Sequence, residues 1–172
     1  MARFSRTLFL PSFFYLTAAV IGILCLLIAL YAQHVLDMAP CAWCVLQRLI
    51  LLISCCLAVI AFITYQIGLF KTSWLIGFLF VLSTLSGIAA AWHQYTVASA
   101  QFSCSLSFAD KTITQLGLDQ ALPQLFGIHA QCIDAKVKLL GIDFALWSLN
   151  MFIVLTAGGI TALWMYHRQA SR

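Results

Sequence analysis

The sequence predicts an all-α integral membrane protein, a four-helix bundle with one long hydrophilic loop. Three observations carry this. Of the 172 residues, 63% are hydrophobic and only 8% are charged, too few to cover a water-soluble domain of this size. Four apolar runs are each long enough to cross a hydrocarbon layer roughly 30 Å thick. Lysine and arginine are also sorted by side of the layer, as membrane insertion requires. The formal charge of +4 is small and scattered, so a nucleic-acid surface is excluded. No repeat, low-complexity tract or second domain is visible, and residues 1–172 read as a single four-span domain.

Residues 1–11 contain Arg3 and Arg6 and no acid. The apolar run 12–33 is longer than a signal-peptide core and lacks a small-residue cleavage site, so it reads as a retained first span. A link over 34–43 follows, then a second span over 44–65, a short loop with Lys71, and a third span over 74–92. The long loop occupies 93–143, and a fourth span over 144–166 leads to a basic tail. Within the loop, Ser107 to Asp110 fits a capping box ahead of a short helix. That helix is predicted to lie on the membrane surface with Ile113 and Leu116 on one face and to stop near Gly117. The stretch 122–128 is apolar but broken by Pro123 and Gly127, so it is predicted to be irregular and to dip into the interface. Val137, Leu139, Leu140, Ile142 and Phe144 form a further apolar face leading into the last span.

Arg3, Arg6, Lys71, Arg168 and Arg172 fall on one side without an acidic residue, which predicts cytoplasmic termini. The five acids, Asp37, Asp110, Asp119, Asp134 and Asp143, fall on the other side with Lys111, Lys136 and Lys138. Four of the seven cysteines, Cys41, Cys44, Cys104 and Cys132, share that outer face, the periplasm of a bacterium, where thiols meet oxidants. Cys25, Cys55 and Cys56 lie inside apolar runs and read as inert small hydrophobes.

Cys41 and Cys44 form a Cys-x-x-Cys pair, which closes and opens a disulfide with little backbone travel. Pro40 favours a helix starting just after it, which places the pair in the first turn, where free N–H groups and the helix dipole favour a thiolate. Arg48 follows four residues after Cys44 on the same face, a cation beside the sulfurs. The bland reading is an arginine extended to lipid phosphate. Cys104 and Cys132 alone would read as a structural bridge, but beside a redox pair they suggest a two-stage relay. A lipid-soluble two-electron acceptor is the natural outlet, and a quinone fits, because a guanidinium stabilises charge developing on its oxygens. No nucleotide-binding glycine pattern, haem-attachment motif or zinc-type cysteine spacing is present, and no metal is expected.

Gln33-His34-Val35, Pro40-Cys41-x-x-Cys44-x-x-x-Arg48, the loop cysteines, and Leu140-Gly141-Ile142-Asp143 with Trp147 closely resemble the disulfide bond formation protein B (DsbB) family. The resemblance covers nearly the whole chain. It implies a bacterial inner-membrane enzyme that passes electrons from a periplasmic thioredoxin-like dithiol oxidase (DsbA-like) to ubiquinone or menaquinone. It further implies that Cys104, bonded to Cys132, forms the mixed disulfide with the partner, and that Cys41 exchanges with the loop pair. Cys44 would lie next to the quinone ring, Arg48 would contact it, and His93 stands where the family tends to place a histidine near it. The lysine-rich stretch 134–138 departs from the aromatic residue that some members carry after the second loop cysteine. Resting connectivity is open between 41–44 with 104–132 and a rearranged interloop bond. Two rivals belong to other classes: a b-type haem carrier with His34 and His93 as axial ligands, and a structural protein with stapled loops. For His34 the favoured reading is a hydrogen-bonded interfacial histidine.

Overall fold

The computed structural model describes residues 2–97, 107–130, 138–139 and 141–170. Four long helices, α1 (Ala2–Val35), α2 (Ala42–Gln66), α3 (Phe70–Thr96) and α7 (Phe144–Ala170), make an all-α membrane bundle. Each carries a stretch apolar and long enough to cross a bilayer: Ser12–Val35, Ala42–Gln66, Phe70–Thr96 and Phe144–Arg168. The helices outrun the apolar segments read from sequence. Backbone hydrogen bonding continues wherever nothing breaks it, and helix continuity is not limited to hydrocarbon-compatible side chains.

The core is built where small residues let rings in. Phe152 is fully buried against Gly87, and Phe14 lies where a Cβ on Gly158 would stand, so neither glycine tolerates a side chain without repacking. Tyr15, Phe80 and Phe14 pack edge to face at centroid distances of 5.5 to 6.2 Å around this point. Polar groups inside the bundle find partners across helices: Thr156 Oγ1 donates to Thr84 Oγ1 at 2.9 Å, and the Ser54 and Ser83 hydroxyls meet at 2.9 Å. The packing is uneven. α3 sits extensively against both α2 and α7, whereas α1 meets α7 much more sparsely. A cavity opens along that seam.

Short elements close one end of the bundle: α4 (Phe108–Gln115), α5 (Leu118–Ala121) and α6 (Pro123–Phe126). The N-cap half of the expected box is formed, with Ser107 Oγ accepting from the Asp110 N–H at 3.2 Å. The helix stops at Leu116, and Gly117 at φ +64° turns the chain. The face expected to be shared by Ile113 and Leu116 is divided. Ile113 is fully buried against Val45 and Phe126, whereas Leu116 is exposed, so α4 is docked onto α2 through a single edge. The stretch expected to be irregular contains a helical turn, because Pro123 at the first helical position needs no N–H partner. The apolar face before the last span is partly a two-stranded ribbon, β1 (Lys138–Leu139) with β2 (Ile142–Asp143), turning through Gly141 at φ +82°. Only a left-handed residue makes so tight a reversal, and glycine occupies that region freely.

Candidate active site

Cys41 is the N-cap of α2, in extended conformation at φ −86°, ψ 169°, and its carbonyl accepts from Val45 N–H at 3.1 Å. Cys44 follows in the first turn, and the two Sγ atoms stand 3.4 Å apart, as a dithiol. A disulfide needs about 2.05 Å, a closure within reach of side-chain rotation. The two sulfurs are not equivalent. Cys41 is fully buried, under Ala109 of α4 and against Ala42, Trp43, Leu46 and Ala90. The hydrogen bond it donates to Cys44, and then its burial, push its thiol above the ordinary cysteine range, so Cys41 keeps its proton.

Arg48, 8% exposed, turns inward rather than to lipid phosphate. Its Nη1 donates to Gln33 Oε1 on α1 and to the Leu125 carbonyl on α6 at 3.2 Å, and its Nη2 donates to the Ala29 carbonyl at 3.3 Å. All three acceptors are uncharged. The guanidinium is therefore fixed in place with its charge available to an anion. Gln33 also donates to the Gln124 carbonyl at 3.3 Å, and His34 Nε2 lies 3.2 Å from the same oxygen, so the loop is pinned to α1 around Arg48.

Cys44, Gln47, Arg48 and Ser148 line one end of a cavity of 530 Å³ between α1, α2 and α7. From there the lining is almost wholly apolar as far as Phe14 on α1 and Leu155 on α7. Ala29 and Phe14, both in the wall, are separated by about 22 Å of helix. The shape suits an amphiphile with a polar head at the sulfur and a long apolar tail.

His93 is elsewhere. Its ring stacks on Trp43 at a centroid distance of 4.4 Å, its Nδ1 is buried without a hydrogen-bond partner among the described residues, and it is absent from the cavity wall. The two haem-rival histidines thus have different neighbours, His34 the Gln124 carbonyl and His93 the Trp43 ring. Cys104 and Cys132 lie outside the described residues. On the α3 side, reasoning from sequence overlooked Gln94. Its Nε2 donates to Cys44 Sγ at 3.1 Å, and its Oε1 accepts from Gln47, which in turn accepts from Ser148. The available signal was a run of amides, Gln33, Gln47 and Gln94, inside or at the ends of apolar spans, where polar side chains are costly without a task.

A four-helix membrane protein thus holds a dithiol between a fixed cation and a buried amide. The family model described as disulfide bond formation protein DsbB matches residues 11–162, and the chain belongs to this family. It is 34% identical over 140 residues to disulfide bond formation protein B 1 of Pseudomonas entomophila, covering 79% of this chain and 82% of that one. The protein of the same name from Pseudomonas syringae pv. syringae is 35% identical over 138 residues, 78% and 80% of the two chains. Disulfide bond formation protein B of Herminiimonas arsenicoxydans is 31% identical over 142 residues, 80% and 85%.

Proposed function

We propose that the chain is a thiol:quinone oxidoreductase of the bacterial inner membrane that reoxidises a periplasmic, DsbA-like dithiol oxidase. The observation that supports it most is the long apolar cavity with Cys44 and Arg48 at its polar end. Ubiquinone or menaquinone, a polar ring on an isoprenoid tail, matches that lining. When bound, it supplies an acceptor for two electrons and two protons, the same number that two partner thiols lose in forming one sulfur–sulfur bond.

The remaining tasks fall to the chain. A partner thiolate attacks Cys104 of a Cys104–Cys132 bond, and the partner's second thiolate displaces Cys104, leaving both loop sulfurs reduced. A loop thiolate then attacks Cys41 of a Cys41–Cys44 bond, Cys44 leaves as thiolate, and the second loop sulfur displaces Cys41 and restores the loop disulfide. The electron pair now resides on Cys41 and Cys44. Short connections support this exchange: Ala130, two positions before Cys132, donates its N–H to the carbonyl of Pro40, one position before Cys41. Cys41 holds a proton while Cys44 faces the cavity, and Arg48 stabilises negative charge arising there. The lysine and arginine count supports termini in the cytoplasm and active cysteines in the periplasm.

Purified chain given a reduced thioredoxin-like protein and a soluble quinone analogue is expected to bleach the quinone absorbance. Cys44→Ser should lower that rate about a thousandfold or more. An unaltered rate in this variant would overturn the reading.

A further inference from the structure

Three polar side chains from three helices, two buried amides and a half-buried hydroxyl, form one hydrogen-bonded chain that ends on Cys44. Ser148 Oγ on α7 donates to Gln47 Oε1 on α2, Gln47 Nε2 donates to Gln94 Oε1 on α3, and Gln94 Nε2 donates to Cys44 Sγ at 3.1 Å. The same Nε2 lies 3.8 Å from Cys41 Sγ. Gln47 and Gln94 are 6% and 7% exposed, so neither amide has bulk water as an alternative partner. Burying two primary amides in a membrane bundle costs free energy unless they are satisfied, and here each satisfies the next.

The direction of the chain is informative. An amide can turn either its oxygen or its NH2 group toward a sulfur. A carbonyl oxygen suits only a protonated thiol, whereas an N–H suits a thiolate. Cys44 already accepts from Cys41, so the sulfur receives donors from two directions. With Gln94 Nε2 committed to the sulfur, its Oε1 must accept, which turns Gln47 Nε2 toward it and leaves Gln47 Oε1 for the Ser148 hydroxyl. All three donors point toward Cys44, and aligned donors polarise one another in a low-dielectric interior.

We infer that Gln94 is a positioning residue that holds negative charge on the Cys44 sulfur, in an orientation set by Gln47 and Ser148. This rests on the thiol:quinone reading and adds α3, which lines no part of the cavity, to the machinery of that site. Among the described residues, Cys41 at the start of α2, Arg48 on α2 and the Cys25 thiol of α1 are the other titratable groups around Cys44 and the cavity; α7 supplies only uncharged side chains to the lining. His93, next to Gln94 on α3, is turned onto Trp43.

The test is the pH dependence of Cys44 alkylation by N-ethylmaleimide in the reduced full chain in detergent, with the modified residue identified by peptide mass spectrometry. Gln94→Met keeps the shape and removes the donor; its alkylation midpoint is expected to rise by about one pH unit or more, a tenfold loss of thiolate near neutrality. Ser148→Ala, acting two hydrogen bonds away, should move the midpoint in the same direction by less. A Gln94→Met midpoint equal to that of the unaltered chain overturns the inference. If Gln94→Met does not fold, an unmoved midpoint in Ser148→Ala overturns it instead. Because alkylation needs neither quinone nor partner, an unaltered chain that fails to reduce quinone counts against the proposed function and leaves this result standing.

Discussion

The two sides of Cys44 differ in kind. Toward α3 the sulfur meets a packed wall, with the Gln94 amide at 3.1 Å and Cys41, Trp43 and Ala90 in a closed cluster. Toward α1 and α7 it meets a cavity of 530 Å³, with Arg48 at the rim. The same atom is thus held from one side and approached from the other. On the proposed reading Cys44 needs both, because donors that fix its charge must not occupy the path of the acceptor. The sparse α1–α7 seam provides the second condition, and the dense α2–α3 interface the first.

The comparison is broken most severely from the open side. Arg48→Met removes the charge and keeps much of the side-chain bulk, while the Gln33, Ala29 and Leu125 acceptors lose their donor. Quinone reduction is expected to fall about a hundredfold, in the range set by the loss of one preorganised electrostatic contact. Thiol exchange with the partner, followed by trapping the mixed disulfide on Cys104, should continue. Loss of exchange with retained quinone reduction would show that Arg48 serves the loop, which it touches through Leu125, and not the cavity.

The packed side breaks from above. Cys41 has no exposure while α4 is docked, and the docking relies on Ile113, buried between Val45 and Phe126. Ile113→Ala should weaken that contact by about 2 to 5 kcal/mol. Cys41 alkylation, expected to be slow in the intact chain, should then accelerate by at least about tenfold through local opening. Smaller again is the effect of shortening the cavity. Ala29→Leu adds bulk to the wall next to Arg48, and its expected signature is a quinone KM raised several-fold, roughly 1 kcal/mol, with kcat nearly unchanged. A fall in kcat alone would mean that the acceptor does not enter along α1.

How much of this was legible in sequence depended on range. The Cys41–Cys44 start of α2 was readable because proline, helix dipole and i to i+3 spacing act within one turn. The Ser107 cap was readable for the same reason, and the helical turn after Pro123 was within reach of the same rule. The choice between Ile113 and Leu116 as the buried residue was not, since an eight-residue helix shows both on one edge and only α2 decides. Arg48 was ambiguous between lipid and interior until Gln33, Ala29 and Leu125, 15, 19 and 77 residues away, supplied its acceptors. The amide chain was less accessible still: Gln94 meets Gln47 across 47 residues, and Ser148 meets Gln47 across 101. No local period encodes such pairs.

The smallest expected effects concern the three cysteines within the membrane spans, and there the site comparison sharpens a grouping that sequence treated as uniform. Cys56 is exposed on the outside of α2, where lipid replaces any lost contact, so Cys56→Ala should change stability by no more than about 0.5 kcal/mol and leave turnover unchanged. Cys55 is pressed against Gly22 of α1, and its sulfur lies 3.8 Å from the Ala19 carbonyl. Truncating it leaves a small gap in the α1–α2 interface, expected to cost about 1 kcal/mol in thermal unfolding without changing quinone KM. Cys25 alone of the three lines the cavity. Its alanine variant should therefore be the one whose quinone KM moves, by about twofold, since a wall that contacts the acceptor responds to loss of a single sulfur. Equal KM values across all three variants would place the acceptor entirely in the Arg48 half of the cavity, above the level of Cys25.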